Sequence, residues 1–128
     1  MAVGKGGLPK FHAIEGVRLG VAKSGIKYAD RKDLVIFELA EGSACAGVFT
    51  KNSFCAAPVV LSKENLAANS PRYLLINTGN ANAGTGAQGM KDALECCQAL
   101  SDLANVPSNA ILPFSTGVIG EALPVKAI

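Results

Sequence analysis

Residues 111–121, ILPFSTGVIGE, set Ser115, Thr116 and Gly117 inside an otherwise apolar run. A threonine hydroxyl beside an unobstructed glycine N–H makes two hydrogen-bond donors that can converge on one point. The same residues also read as a turn and nothing more, and taken without context the turn is the simpler reading. No nucleophile–base pair accompanies them. Pro113 stands where a nucleophile elbow needs glycine, so Ser115 does not satisfy that motif. His12, the single histidine, has no evident acidic or cysteine partner and reads as structural or exposed.

A second candidate is Gly84-Thr85-Gly86-Ala87-Gln88-Gly89, which satisfies G-x-G-x-x-G between a strand and a helix. A dinucleotide fingerprint needs its first glycine in the turn directly after the strand, so that the pyrophosphate meets the helix N-terminus. Here residues 78–83 intervene after Asn77, and the acidic residue expected further on, Asp102, falls within the helix. The match is therefore read as fortuitous, and without G-K-[ST] there is no P-loop. The Asn/Gly-rich loop TGNANAGTG reads equally as a substrate-binding loop or as a capped passage from strand to helix. The four cysteines are Cys45, Cys55, Cys96 and Cys97. None forms C-x-x-C, so neither a zinc site nor a disulfide scaffold is expected, and a reducing, cytoplasmic setting fits best. Cys97 reads as a core residue, and Cys45 and Cys55 are assigned no chemistry.

Composition narrows the class. The 128 residues suit one domain, with 49% hydrophobic and 17% charged residues, enough for a packed core. The net charge of +2 is small and dispersed, and aromatic residues are only 5%, so neither nucleic acid nor an anionic membrane is an expected partner. No apolar run approaches the ~18 residues of a membrane span, and the start, MAVGKGGLPK, lacks the apolar stretch of a secretory signal.

The elements that must position these residues follow from periodicity. Residues 1–10 read as a flexible lead-in and residues 11–128 as the folded part. Val17, Leu19 and Val21 alternate as a strand, and 27–33 is a polar connection. Residues 34–40 and 44–50 predict a hairpin, and 57–62 another short strand, with Ser62 capping a helix over 63–68. Residues 72–77 predict a strand. Thr85 and Gln88 then fit a capping box opening a helix whose apolar face is Met90, Ala93, Leu94, Cys97, Leu100, Leu103 and Ala104. Pro107 is expected to close that helix, 110–114 to return as a strand, and Pro124 to open another helix. Strands first, then strand alternating with helix, predict an α+β fold with mixed sheets and packed helices. The chain stops where that last helix would begin, so its core is expected to depend on residues beyond Ile128.

Three stretches in order, AGVFTKNSFCAAPV (46–59), INTGNANAGTGAQG (76–89) and STGVIGE (115–121), strongly resemble the ornithine acetyltransferase family, also called glutamate N-acetyltransferase. GVRLGVAKSGIK (16–27) resembles that family's first strand region. Thr78 departs from an expected serine and Gly84 from a common cysteine. The resemblance implies acetyl transfer from N2-acetylornithine to glutamate in arginine biosynthesis, with acetyl-CoA also used by some members. It implies a layered αββα-like fold of the self-cleaving N-terminal-nucleophile type, of which this chain is an incomplete part, the N-terminal part of the α subunit. The precursor cleaves itself before a threonine, and the resulting β subunit assembles with α as an α2β2 heterotetramer. The freed threonine, which lies beyond this chain, is the nucleophile, its own α-amine can act as base, and no metal or organic cofactor is implied. Carried onto this sequence, Thr116 through its hydroxyl and Gly117 through its N–H are the oxyanion hole. A related self-processing β-aminopeptidase or amidase, or an inactive structural fragment, are the competing readings, and the fragment alone is expected to be inactive.

Overall fold

The computed structural model describes Gly7 and residues 9–128; the rest of the expected N-terminal lead-in lies outside the described residues. Four strands form one mixed sheet in the order β1 (Val17–Ala22), β2 (Leu34–Leu39), β3 (Tyr73–Asn80) and β4 (Ile111–Val118). The first two pairings are antiparallel and the last is parallel, which requires a crossover; α2 (Gly86–Ala104) supplies it. Helix α1 (Ala57–Ala68) lies between β2 and β3 in sequence and packs on β4 in space.

Register sorts the side chains onto two faces. Leu34, Ile36, Tyr73, Leu75 and Ile111 share one face, and there they pack with Leu61 of α1, with Ala93, Cys96 and Cys97 of α2, and with Leu123. This is the core. The opposite face carries Val17, Leu19, Val21, Val35, Phe37, Leu74, Ile76 and Phe114. Leu19 is 59% exposed, Val21 47% and Phe114 41%, so this apolar face is largely uncovered among the described residues. The alternation in β1 thus marks a strand without marking a buried face.

Several sequence expectations are corrected. Residues 57–62 are not a strand: they form one continuous helix with 63–68, with a proline in its first turn. The buried positions Pro58, Leu61, Ser62 and Asn65 do recur at helical spacing, but two of the four are polar, so the apolar pattern was hidden. Both polar residues cap the free edge of β4: the Ser62 hydroxyl donates to the Pro113 carbonyl at 2.7 Å and Asn65 Nδ2 to the Ile111 carbonyl at 2.8 Å. Residues 44–50 form no strand, because both edges of β2 are already taken by β1 and β3.

In α2 the buried face is turned toward Cys96, Cys97 and Ser101, leaving Leu94 47% and Leu103 86% exposed. Asn105, in the left-handed conformation at φ 54°, ends this helix two residues before Pro107. Pro124 leads only a single 3₁₀ turn, Val125–Ala127. Burial pushes the Cys96 thiol up to about 11 and the Cys97 thiol up to about 12, with nearby negative charge adding to it, so both stay protonated and inert at neutral pH.

Candidate active site

Ser115, Thr116 and Gly117 belong to β4 and not to a turn. Their neighbours across the parallel ladder are Asn77, Thr78 and Gly79 of β3, with a register shift at Asn80. Main-chain groups alternate along a strand, and here the alternation can be read from their partners. The carbonyls of Ile111 and Pro113 face away from β3, toward α1, whereas the Val118 carbonyl accepts from Ala81 N at 2.9 Å on the β3 side. Gly117 has the same parity along β4 as Ile111 and Pro113. Thr116 is exposed, and among the described residues its hydroxyl has no hydrogen-bond partner. The Thr116 hydroxyl and the Gly117 N–H therefore sit side by side at the end of an edge strand.

Thr116 lines a recess of about 320 Å³. Its walls are mostly apolar, from Val48, Phe49, Pro58, Val59, Pro113 and Phe114, with Ser115 and Thr116 at one end.

Gly117 has φ +135°, a region L side chains rarely adopt, and a Cβ there would lie 2.6 Å from Asn80 N and 2.7 Å from the Gly79 carbonyl oxygen. Only glycine lets β4 approach β3 this closely.

Behind the donors lies a group that sequence reasoning missed. Asn77, Asn80 and Asn82 are all buried, at 4%, 3% and 0% exposure. Asn82 Nδ2 donates to the Gly89 carbonyl at 2.8 Å, and Asn82 Oδ1 accepts from the Thr85 hydroxyl at 2.8 Å. The capping box is therefore absent. Thr85 precedes α2 but turns its hydroxyl to Asn82, and Gln88 donates instead to Asp92 at 2.8 Å. The one available signal was that Asn77 continues the inward series of Tyr73 and Leu75, where an apolar residue is the default.

The polar stretch 27–33 hides a second buried anchor. Asp33 is 3% exposed; its carboxylate accepts from Ser24 N and Ile26 N, each at 2.7 Å, and its carbonyl accepts from Thr78 N at 2.9 Å. Burial alone would raise the carboxyl, but the N–H groups of Ser24, Ile26, Asp33 and Gly25 outweigh it and hold it below its ordinary value of 3.8. A lowered folded value means that the stabilisation is fully present above pH 3.8. It is lost as pH falls through the folded value, since the unfolded chain takes up its proton first. In the complete protein, Asp33→Asn is expected to flatten the loss of stability below roughly pH 4. Urea unfolding midpoints measured from neutral to acid pH test this; parallel curves for parent and variant would contradict it.

Fold and site together define a class: an α+β chain with helices on one face of a mixed sheet, and a Thr-Gly pair at the end of its edge strand. Residues 18–128 match the ArgJ family. The chain is 56% identical over 128 residues to the arginine biosynthesis bifunctional protein ArgJ of Pseudomonas syringae pv. tomato, covering 100% of this chain and 31% of that protein. It is 54% identical to the protein of the same name from Psychrobacter arcticus, covering 100% of this chain and 32% of that protein. Among solved structures, the arginine biosynthesis bifunctional protein argJ of Bacillus halodurans superimposes with a TM-score of 0.83 at 32% identity, over 88% of this chain and 59% of that one. The ornithine acetyltransferase of Mycobacterium tuberculosis, solved with ornithine, gives 0.78 at 34% identity over 88% and 62%. This chain belongs to the ArgJ family, and it spans about a third of the length of the curated relatives it matches.

Proposed function

We propose that the chain is the N-terminal part of a self-cleaving acetyltransferase of arginine biosynthesis, moving an acetyl group from N2-acetylornithine to glutamate. Membership of the ArgJ family and the names of its relatives, a bifunctional protein of arginine biosynthesis and an ornithine acetyltransferase, support the reaction class. The observation that carries the site is the Thr116 hydroxyl, free among the described residues, which lines an apolar recess and adjoins Gly117 in the edge strand β4. In this reading a threonine freed by self-cleavage, outside this chain, attacks the acetyl carbonyl through its Oγ. The carbonyl oxygen takes up negative charge between Thr116 and Gly117. The C–N bond then breaks, ornithine leaves with the proton taken from the threonine, and an acetyl ester remains on the enzyme. Glutamate's amine attacks that ester, the threonine oxygen departs and recovers a proton, and N-acetylglutamate is released.

The rest of the assignment follows from the same reading: a β subunit cut from the same precursor, an α2β2 assembly, a cytoplasmic location, acetyl-CoA as a second donor, and no metal or organic cofactor. The test uses the complete, processed protein with acetyl-labelled acetylornithine and unlabelled glutamate. Label should appear in acetylglutamate in step with ornithine release, and initial rates should follow a ping-pong pattern. Hydrolysis of β-amino amides with no transfer to glutamate would instead identify the related aminopeptidase class.

A further inference from the structure

The Thr116 hydroxyl has no hydrogen-bond partner of its own among the described residues, so the aim of the pair depends on what holds the end of β4 in place. On their N-terminal side the Ser115 hydroxyl donates to Asn77 Oδ1 at 2.5 Å. On their C-terminal side Asn80 Nδ2 donates to the carbonyls of Glu121 at 3.2 Å and Ala122 at 3.0 Å. The two asparagines are joined, since Asn77 Nδ2 donates to the Asn80 carbonyl at 2.9 Å. Asn80 Oδ1 accepts from Asn82 N at 2.7 Å, which carries the frame on to the first turns of α2. The backbone bonds Ala81 N to Val118 O at 2.9 Å and Gly120 N to Ala83 O at 2.8 Å run alongside.

The donor pair is thus bracketed by two buried amides whose hydrogen-bonding groups are engaged. A buried amide left unpaired is costly, so each holds its partners at a fixed distance and angle. Hydrophobic packing could not do this here, because Phe114, Thr116, Val118 and Ile119 are exposed and pack loosely.

We propose that Asn77, acting through Ser115, and Asn80, acting through residues 121–122, are positioning residues that aim the Thr116 hydroxyl and the Gly117 N–H at the reacting carbonyl oxygen. This rests on the oxyanion reading of Thr116 and Gly117. Both asparagines are buried, and each acts by setting where β4 ends. An oxyanion donor works only when aimed at the oxygen's position in the transition state, so loosening the frame should lower kcat while sparing ground-state binding.

The experiment compares Ser115→Ala, Ser115→Thr and Thr116→Ala in the complete, self-cleaved protein, with rates normalised to acetyl-enzyme burst. Ser115→Ala is expected to lower kcat about tenfold with KM within about twofold, and Ser115→Thr, which keeps the hydroxyl, to restore most of the rate. Asn77→Ala should give a similar loss, and the double variant with Ser115→Ala should be little worse than either, because both cut the same tie. If Thr116→Ala slows turnover but Ser115→Ala only lowers the melting temperature, the positioning role is overturned and the oxyanion reading stands. If Thr116→Ala leaves kcat intact, both fall. Should Ser115→Ala not accumulate as folded enzyme, Ser115→Cys keeps the volume while weakening the bond. A threefold or larger loss in its kcat supports the proposal, and an unchanged kcat overturns it.

Discussion

Replacing Thr116 by alanine in the complete, processed enzyme is expected to lower kcat by about 10²–10³, equivalent to roughly 2.7–4 kcal/mol of transition-state stabilisation. The variant loses one of two donors and keeps the Gly117 N–H. Because the ground-state carbonyl carries little charge, KM should change much less than kcat. Stability should barely move, since Thr116 is exposed at the end of an edge strand and its hydroxyl bonds to no described residue. Thr116→Ser keeps the hydroxyl and should retain much of the rate. Self-cleavage is itself an acyl shift and can draw on the same donors, so subunit processing is checked on a gel before rates are read. A fully cleaved, stable alanine variant turning over near the parental rate would refute the oxyanion role.

Gly117→Ala should do more damage by a different route. At φ +135° the backbone is strained for any L side chain, and the added Cβ meets main-chain atoms of Gly79 and Asn80. Those atoms have little room to yield, because Asn80 is held by its own side chain and Ala81 N is bonded to Val118. Backbone strain and overpacking each cost about 1–3 kcal/mol, so the sum is roughly 2–6 kcal/mol. The end of β4 must part from β3 to relieve it, which carries both donors out of position. The expected outcome is a lower melting temperature together with a larger fall in kcat than Thr116→Ala causes. Gly20→Ala is the matched control: no atom lies within 4 Å of its Cβ, and its effect should stay within about 0.5 kcal/mol. A Gly117→Ala enzyme with parental melting temperature would show that β4 does not need this close approach.

The two predictions separate chemistry from architecture at adjacent residues. Thr116 contributes a functional group that the fold does not need, whereas Gly117 contributes the absence of one. The uncovered sheet face adds context, because Phe114 and Thr116 share it.

The sequence by itself determined the elements whose periodicity is local. β1, β2, β3, α2 and the start of β4 were legible because alternation at two residues, or recurrence at three and four, survives wherever one side of an element is apolar. The motif STGVIGE also singled out Thr116 and Gly117, through resemblance, since chain order alone made them a turn. Only the tertiary structure decided the remainder. Whether an apolar face is covered depends on what packs against it, so β1 alternates correctly yet exposes Leu19 and Val21. Only the second half of α1 is legible as a helix, and 57–62 reads as a strand, because Ser62 and Asn65 on its inner face satisfy carbonyls of β4, some fifty residues away in the chain. Residues 44–50 looked like a strand, but a strand needs a free edge, and β2 had none. The asparagine frame was invisible for the same reason. A polar residue in a strand reads as solvated until its partner is known, and the partner of Asn77 is Ser115, thirty-eight positions on. Hydrogen bonds between distant residues leave no period in the sequence, and here they are what aims the site.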